Sequence, residues 1–247
     1  MIPRLVTAAW IALAGSEVSA ETTCSDITFD GLPFTICEAD VSTSAISVVQ
    51  SGTDGRPLGS FAAAEQMAGA PMAMAMNGGM YHDDRSPVGL MIEDGVARAR
   101  LVTSAGPGNF GLLPNGVFCV RDNRADVIET LDFAASPPDC RSATQSGPML
   151  VIDGALHPRF LPDSTSRFIR NGVGTSADGQ RVIFAISNRP VTFHEFGRLF
   201  RDGLNFPQAL YLDGNVSRMF APGTRRRDQA SGLGPMIIVT DGPPGSP

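Results

Sequence analysis

The side chains able to do chemistry collect at the ends of apolar runs. Ala209-Leu-Tyr-Leu212 has the length of a strand and ends in Asp213-Gly214, with Ser217 close behind. Gly favours a tight turn there, and Asp can hydrogen-bond nearby backbone. A carboxylate delivered by a buried strand can serve as general acid, general base or nucleophile. Three other groups sit beside glycine at strand edges: Asn77-Gly78-Gly79-Met80-Tyr81, Gln145-Ser146-Gly147 and Arg170-Asn171. Arginine binds phosphate or carboxylate bidentately, and amides and hydroxyls hold sugar or phosphate oxygens. Singly, each residue reads as a turn former, a strand-end cap or a surface ion pair; together they describe a site. His82-Asp83-Asp84-Arg85 follows the Asn77 group. Solvated surface is the better reading for Asp83 and Asp84. A metal-assisted phosphodiesterase built on His82, Asp83, Asp84 and Asp213 is the alternative.

Much familiar chemistry is excluded. The sequence has no G-x-S-x-G elbow, no H-E-x-x-H pair, no P-loop and no dinucleotide fingerprint. All 19 basic residues are arginine, which rules out Schiff-base lysines and Ser-Lys dyads. A net charge of −6 lacks the basic footprint of a nucleic-acid binder. The three histidines, His82, His157 and His194, have no triad spacing; His157 reads as a loop residue and His194 as part of a helix start.

The elements that must position these groups are mostly strands. Ile27–Phe29, Phe34–Cys37 and Ile46–Val49 have β character, and a helix runs from a Ser60 cap to stops at Gly69 and Pro71. The patterns Ser86–Gly95, Gln145–Gly154 and Ser231–Gly242 share a Gly/Pro lead-in, an apolar strand and an Asp-Gly exit suited to a hairpin. Their irregular spacing excludes a solenoid. Arg167–Gly174 and Val182–Ile186 pair as strands. Thr192-Phe-His-Glu195 is a capping box opening a second helix with Phe193, Phe196, Leu199, Phe200 and Leu204 on one face. The expectation is an α+β fold, strand-rich with mixed or antiparallel sheets and two principal helices.

Residues 1–20 read as a signal peptide, with Arg4, an apolar run from Leu5 to Ala14 and a Val18-Ser19-Ala20 cleavage site. The run is too short to anchor in a bilayer. Residues 21–247 then form a single domain that is periplasmic or secreted. Four cysteines in an exported chain suggest disulfides, and the sequence-local pairs Cys24–Cys37 and Cys119–Cys140 are favoured. Zinc is the weaker reading, since no C-x-x-C pair exists.

These motifs resemble those of the phosphodiester glycosidase family, in a bacterial exported branch. The resemblance rests on Asn77–Tyr81, Pro87-Val-Gly-Leu90, Gln145–Gly154, Arg170-Asn-Gly-Val-Gly174 and Leu212–Ser217, and covers about Ile46 to Val239. Asn215 and Val216 stand where the family turn has glycines, and Arg218 where a second Ser is common. The resemblance implies hydrolysis of a sugar-1-phosphodiester of a glycoconjugate or envelope polysaccharide at the glycosidic C1–O bond. It implies that Asp213, Arg170 and Asn77 are catalytic, with Arg170 and loop amides on the phosphate. Gly78, Tyr81, Gln145, Ser146, Gly147, Asn171, Gly214 and Ser217 would bind substrate. No cofactor is implied, a divalent metal and the oligomeric state stay open, and neither nucleic acid nor a membrane span is expected. A non-catalytic phosphoglycan-binding protein is the remaining alternative.

Overall fold

The computed structural model describes residues 22–242. The signal segment read over residues 1–20 and its cleavage point lie outside the described residues. The chain opens with β1 (Thr23–Phe29), β2 (Leu32–Asp40) and β3 (Ser44–Val49), then α1 (Phe61–Ala68), β4 (Met72–Asn77), β5 (Met91–Glu93) and β6 (Val96–Ala99). It continues through β7 (Gly116–Arg121), β8 (Arg124–Glu129), α2 (Thr130–Ala135), β9 (Ser142–Ser146), β10 (Met149–Ile152) and β11 (Ala155–Leu156). The last part holds β12 (Asn171–Thr175), β13 (Arg181–Ser187), α3 (Phe193–Arg198), β14 (Gln208–Asp213), β15 (Met219–Phe220) and β16 (Met236–Asp241).

Among the described residues every strand pairing is antiparallel, so the sheets are not mixed. A seven-stranded sheet runs β1-β2-β13-β12-β14-β10-β11, a four-stranded sheet β15-β4-β16-β3 and a five-stranded sheet β6-β5-β9-β7-β8. One core joins all three: Val173, Phe184 and Leu210 of the first sheet meet Met74, Met76 and Ile237 of the second and Met91 and Phe118 of the third. Each outer face is backed by one helix. Phe196 of α3 and its π-helical continuation Leu199–Gly203 cover Leu150, Ile183 and Ala209. Phe61 of α1 covers Ala75 and Ile238, and Phe133 of α2 covers Val117 and Ala143.

Local chemistry sets these elements. Asp30-Gly31, Asp94-Gly95 and Asp153-Gly154 carry positive φ at both residues, the type I′ geometry whose twist matches a two-residue hairpin. They close β1–β2, β5–β6 and β10–β11. The three similar patterns read from the sequence thus lie in three different sheets, as β5, β10 and β16. Ser60 caps α1 by accepting the Ala63 N–H at 3.2 Å, and Gly69 ends it in the left-handed region. At α3, Thr192 accepts the Glu195 N–H at 3.1 Å while Glu195 accepts the Thr192 N–H at 2.8 Å. Both expected disulfides are present. Cys24–Cys37 links directly paired residues of β1 and β2, and Cys119–Cys140 ties β7 to the segment leading into β9. No helix among the described residues is long and apolar enough to cross a membrane.

Candidate functional site

The end of β14 opens into a cavity of about 540 Å³. Its walls come from the β4–β5 connection (Tyr81, His82, Asp83, Arg85), the β6–β7 connection (Pro107, Asn109, Phe110), Phe168, Tyr211 and the segment Asp213–Val216. Where β12 and β14 pair, the register shifts so that Asn171 faces Asp213 while Gly172 faces Tyr211, leaving Leu212 as an extra residue. Such a bulge bends a strand and re-aims its terminal side chain.

Asp213 is 5% exposed. Its Oδ1 accepts the Asn215 N–H at 2.5 Å and the Val216 N–H at 3.2 Å. Burial pushes its carboxyl above the ordinary aspartate range, opposed by the backbone N–H groups of Asn215, Val216 and Gly214. The chain turns at Asp213-Gly214 as expected, with Asp213 bonding the backbone ahead of it, but Gly214 is not among the positive-φ residues. A Cβ there would lie 2.2 Å from the Tyr211 hydroxyl, so glycine is required by close approach. Tyr81 lines the same cavity. Burial and the Asp213 charge raise its phenol, while Arg85, a Gly234 backbone hydrogen bond and Arg218 act against that rise.

The remaining candidates form a layer beneath the cavity and are not among its lining residues. Asn77 Oδ1 accepts from Asn171 Nδ2 at 3.0 Å and from the Arg218 N–H at 2.9 Å; its own Nδ2 is buried without a partner. The Ser217 hydroxyl lies 3.0 Å from the carbonyls of both Ile169 and Asp213. Ser146 donates to the Leu212 carbonyl at 2.9 Å. Gln145 spends its amide on the protein: Oε1 accepts the Leu90 and Val102 N–H groups at 3.1 and 3.0 Å, and Nε2 donates to the Val102 carbonyl at 2.7 Å. It thereby fixes the root of the β6–β7 wall. Gly78 packs on the Met236–Ile237 backbone and Gly147 against Asn115. Of the expected residues, the fold brings Asp213, Gly214 and Tyr81 to the cavity.

Arg170, expected at the phosphate, is 1% exposed and is not a lining residue. Its Nε donates to the Val191 carbonyl at 2.9 Å and its Nη2 to the Ser166 carbonyl at 3.2 Å. Its guanidinium lies 3.7 Å from the Phe193 ring centroid and 5.4 Å from that of Tyr211. Burial lowers its pKa, opposed by its charge and hydrogen-bond interactions with Tyr211. Behind it runs an aromatic ladder, His157–Phe160–Phe193–Tyr211, with centroid spacings of 4.8, 5.1 and 4.8 Å. His157 lies in the loop after β11, as its sequence suggested, and is buried there. Tyr211, whose hydroxyl burial pushes far above the ordinary tyrosine range, was not among the expected residues. The available signal was a polar-tipped aromatic in an aliphatic strand, two residues before the acid.

His82 and Asp83 stand at the cavity rim, but Asp84 is occupied by Ser86, whose hydroxyl and N–H it accepts at 2.6 and 2.9 Å. Among the described residues no three His, Cys, Asp or Glu side chains converge as metal ligands. His82, Asp83, Asp84 and Asp213 do not form the shared set that the metal alternative requires.

An antiparallel α+β frame with a buried acid at a strand end, walled by aromatic residues, defines a candidate small-ligand site. The chain belongs to the phosphodiester glycosidase family, whose sequence model matches residues 71–240. It is 40% identical over 150 residues to the uncharacterized protein YigE of Escherichia coli K12, a match covering 61% of this chain and 58% of that one. The match thus spans less than two thirds of that relative's length. In fold it is similar to the catalytic domain of zebrafish N-acetylglucosamine-1-phosphodiester alpha-N-acetylglucosaminidase, auto-inhibited by its pro-peptide. That likeness has a TM-score of 0.55 at 13% identity and covers 88% of this chain and 81% of that one. A Burkholderia pseudomallei K96243 protein inferred to be exported matches with a TM-score of 0.55 at 12% identity, covering 84% of this chain and 74% of that one.

Proposed function

We propose that this chain is an exported hydrolase that cleaves a sugar-1-phosphodiester at the glycosidic C1–O bond, with Asp213 as its reacting carboxylate. The observation that carries the reading is the placement of Asp213, buried at the end of β14 yet lining a cavity of about 540 Å³ among aromatic faces. That volume suits a sugar with part of its aglycone, and Tyr81, Phe110, Phe168 and Tyr211 offer apolar surface for a sugar ring. In the reaction, a water oxygen bonds to the anomeric carbon while the bond from that carbon to the phosphate oxygen breaks. The phosphomonoester leaves with the bonding electrons, and the water proton passes to Asp213 and on to solvent. A charge-neutralised phosphomonoester leaves readily, so a strong general acid is not essential. The raised carboxyl places the loss of base function at a pH above that of an ordinary aspartate.

The test is Asp213→Asn. The account expects turnover of a sugar-1-phosphodiester such as UDP-N-acetylglucosamine to fall about a hundredfold or more, with the fold retained. Unchanged turnover would remove Asp213 from the mechanism. Substrate binding without turnover in the unsubstituted protein would favour a phosphoglycan-binding protein.

A further inference from the structure

The hydrolase reading leaves the phosphate without a holder, because Arg170 is locked among aromatic rings and backbone carbonyls. We propose that Arg85 is the anion-recognition residue of the cavity and takes the phosphate of a phosphodiester, an assignment that rests on the proposed function only for its substrate. Of the residues lining the cavity Arg85 is the one arginine, and Asp83 and Asp213 are the carboxylates. Its guanidinium enters no ion pair among the described residues. Its contact is instead with the Tyr81 ring, whose centroid lies 5.6 Å from Cζ. An arginine stacked on an aromatic face keeps its N–H edge free for a planar, bidentate bond to phosphate.

The backbone around Arg85 is built to hold it there. Arg85 has φ 75°, a region unfavourable for a residue with a long side chain. It is kept in that region by three hydrogen bonds. The Arg85 N–H donates to the His82 carbonyl at 2.8 Å, the His82 N–H donates to the Ser86 carbonyl at 2.9 Å, and Gln50 Nε2 donates to the Arg85 carbonyl at 2.8 Å. Strain maintained in this way clusters at functional sites. The glycine-rich lead-in to β16 supplies the bed. A Cβ on Gly232 would lie 2.7 Å from Arg85 Nη2, and one on Gly234 would lie 2.5 Å from Tyr81 Cγ. The third of the repeated sequence patterns therefore makes room for the Tyr81–Arg85 pair. This places a cation and the reacting carboxylate on one cavity, the arrangement needed to neutralise a leaving phosphate while the anomeric carbon is attacked.

The experiment compares the unsubstituted protein with Arg85→Ala, Arg85→Lys and Gly234→Ala. It measures inorganic phosphate binding by calorimetry and kcat and KM on UDP-N-acetylglucosamine, with thermal melts as fold control. Arg85→Ala should weaken phosphate binding about tenfold or more, as expected for one charge-assisted contact. It should raise KM in parallel, and Arg85→Lys should restore part of both. Gly234→Ala, which shifts Tyr81, should weaken phosphate binding with Arg85 itself intact. Phosphate affinity and KM unchanged in Arg85→Ala would overturn the proposal while leaving the hydrolase reading in place. Phosphate binding lost in Arg85→Ala, in a protein that turns over no sugar phosphodiester, would support the anion site and remove the hydrolase reading. Absence of phosphate binding in the unsubstituted protein would overturn the anion site.

Discussion

The layer beneath the cavity holds Asn77, Asn171, Gln145, Ser146 and Ser217, each buried and hydrogen-bonded to the protein itself. The wall above it holds Tyr81, Arg85, Asn109 and Asp213, facing open volume. Asn171 and Asp213 even stand opposite one another across β12 and β14, yet one ties two sheets together and the other lines the cavity. A buried polar group costs stability unless it is paired. Side chains that the fold turns inward onto protein partners describe architecture, and those that also line the cavity, as Asp213 does while its Oδ1 accepts two backbone N–H groups, are the candidates for chemistry.

Substitutions that separate the two layers test this contrast. Asp213→Asn carries the largest expected effect on turnover and should leave the melting temperature unchanged or raised, because it removes a charge whose burial is unfavourable. Gln145→Ala should do the reverse of that pattern. Orphaning the Leu90 and Val102 groups should cost roughly 2 kcal/mol or more of stability. Loosening the Pro107–Phe110 wall should then raise KM more than it lowers kcat. Asn171→Ala should cost about 1–2 kcal/mol, a drop of roughly 2–4 °C per kcal/mol in a chain of this size, with residual activity tracking the folded fraction. A hundredfold loss of kcat in a fully folded Asn171→Ala protein would break the distinction between the layers.

The smallest effect concerns His157. Burial lowers its pKa, and its Nδ1 accepts the Arg159 N–H at 3.2 Å, a bond that only the neutral ring can accept. The unfolded chain then binds more protons than the fold at acidic pH. The stability contributed by neutral His157 should be complete above about pH 6.5, the unfolded value, and lost as pH falls below it. Denaturant midpoints measured from about pH 8 to pH 5 should show this fall, and His157→Gln should flatten it. Equal slopes in both proteins would place the acid sensitivity elsewhere.

Much of the frame was legible because it is written locally. Asp-Gly pairs make hairpins through two consecutive positive φ angles, Thr192 and Glu195 cap a helix across four residues, and each disulfide joins cysteines close in sequence. The position of Asp213 at the end of a buried strand was legible for the same reason, since an apolar run ending in Asp-Gly announces itself. What sequence could not supply was direction. Whether Arg170 points to solvent, to ligand or into Phe193 depends on how the preceding loop presents the Ser166 carbonyl and how the chain returns to bring Val191 and Phe193 over it, which only the fold sets. Gln145 and Ser146 lie at a strand end as read, but their amide and hydroxyl are taken by carbonyls and N–H groups that only the folded sheets bring near. Arg85 was visible in a polar run, and its value depends on glycines near position 232 that fold against it from the far end of the chain.

The central claim is that this cavity breaks the bond between a sugar's anomeric carbon and its phosphate. Its most direct test is hydrolysis of UDP-N-acetylglucosamine and related sugar-1-phosphodiesters in heavy-oxygen water, with and without EDTA, read by mass spectrometry of both products. The account predicts label on the sugar at equal rates in both buffers. Label on the phosphate, lost with EDTA, would contradict it and return the chemistry to a metal-assisted phosphodiesterase.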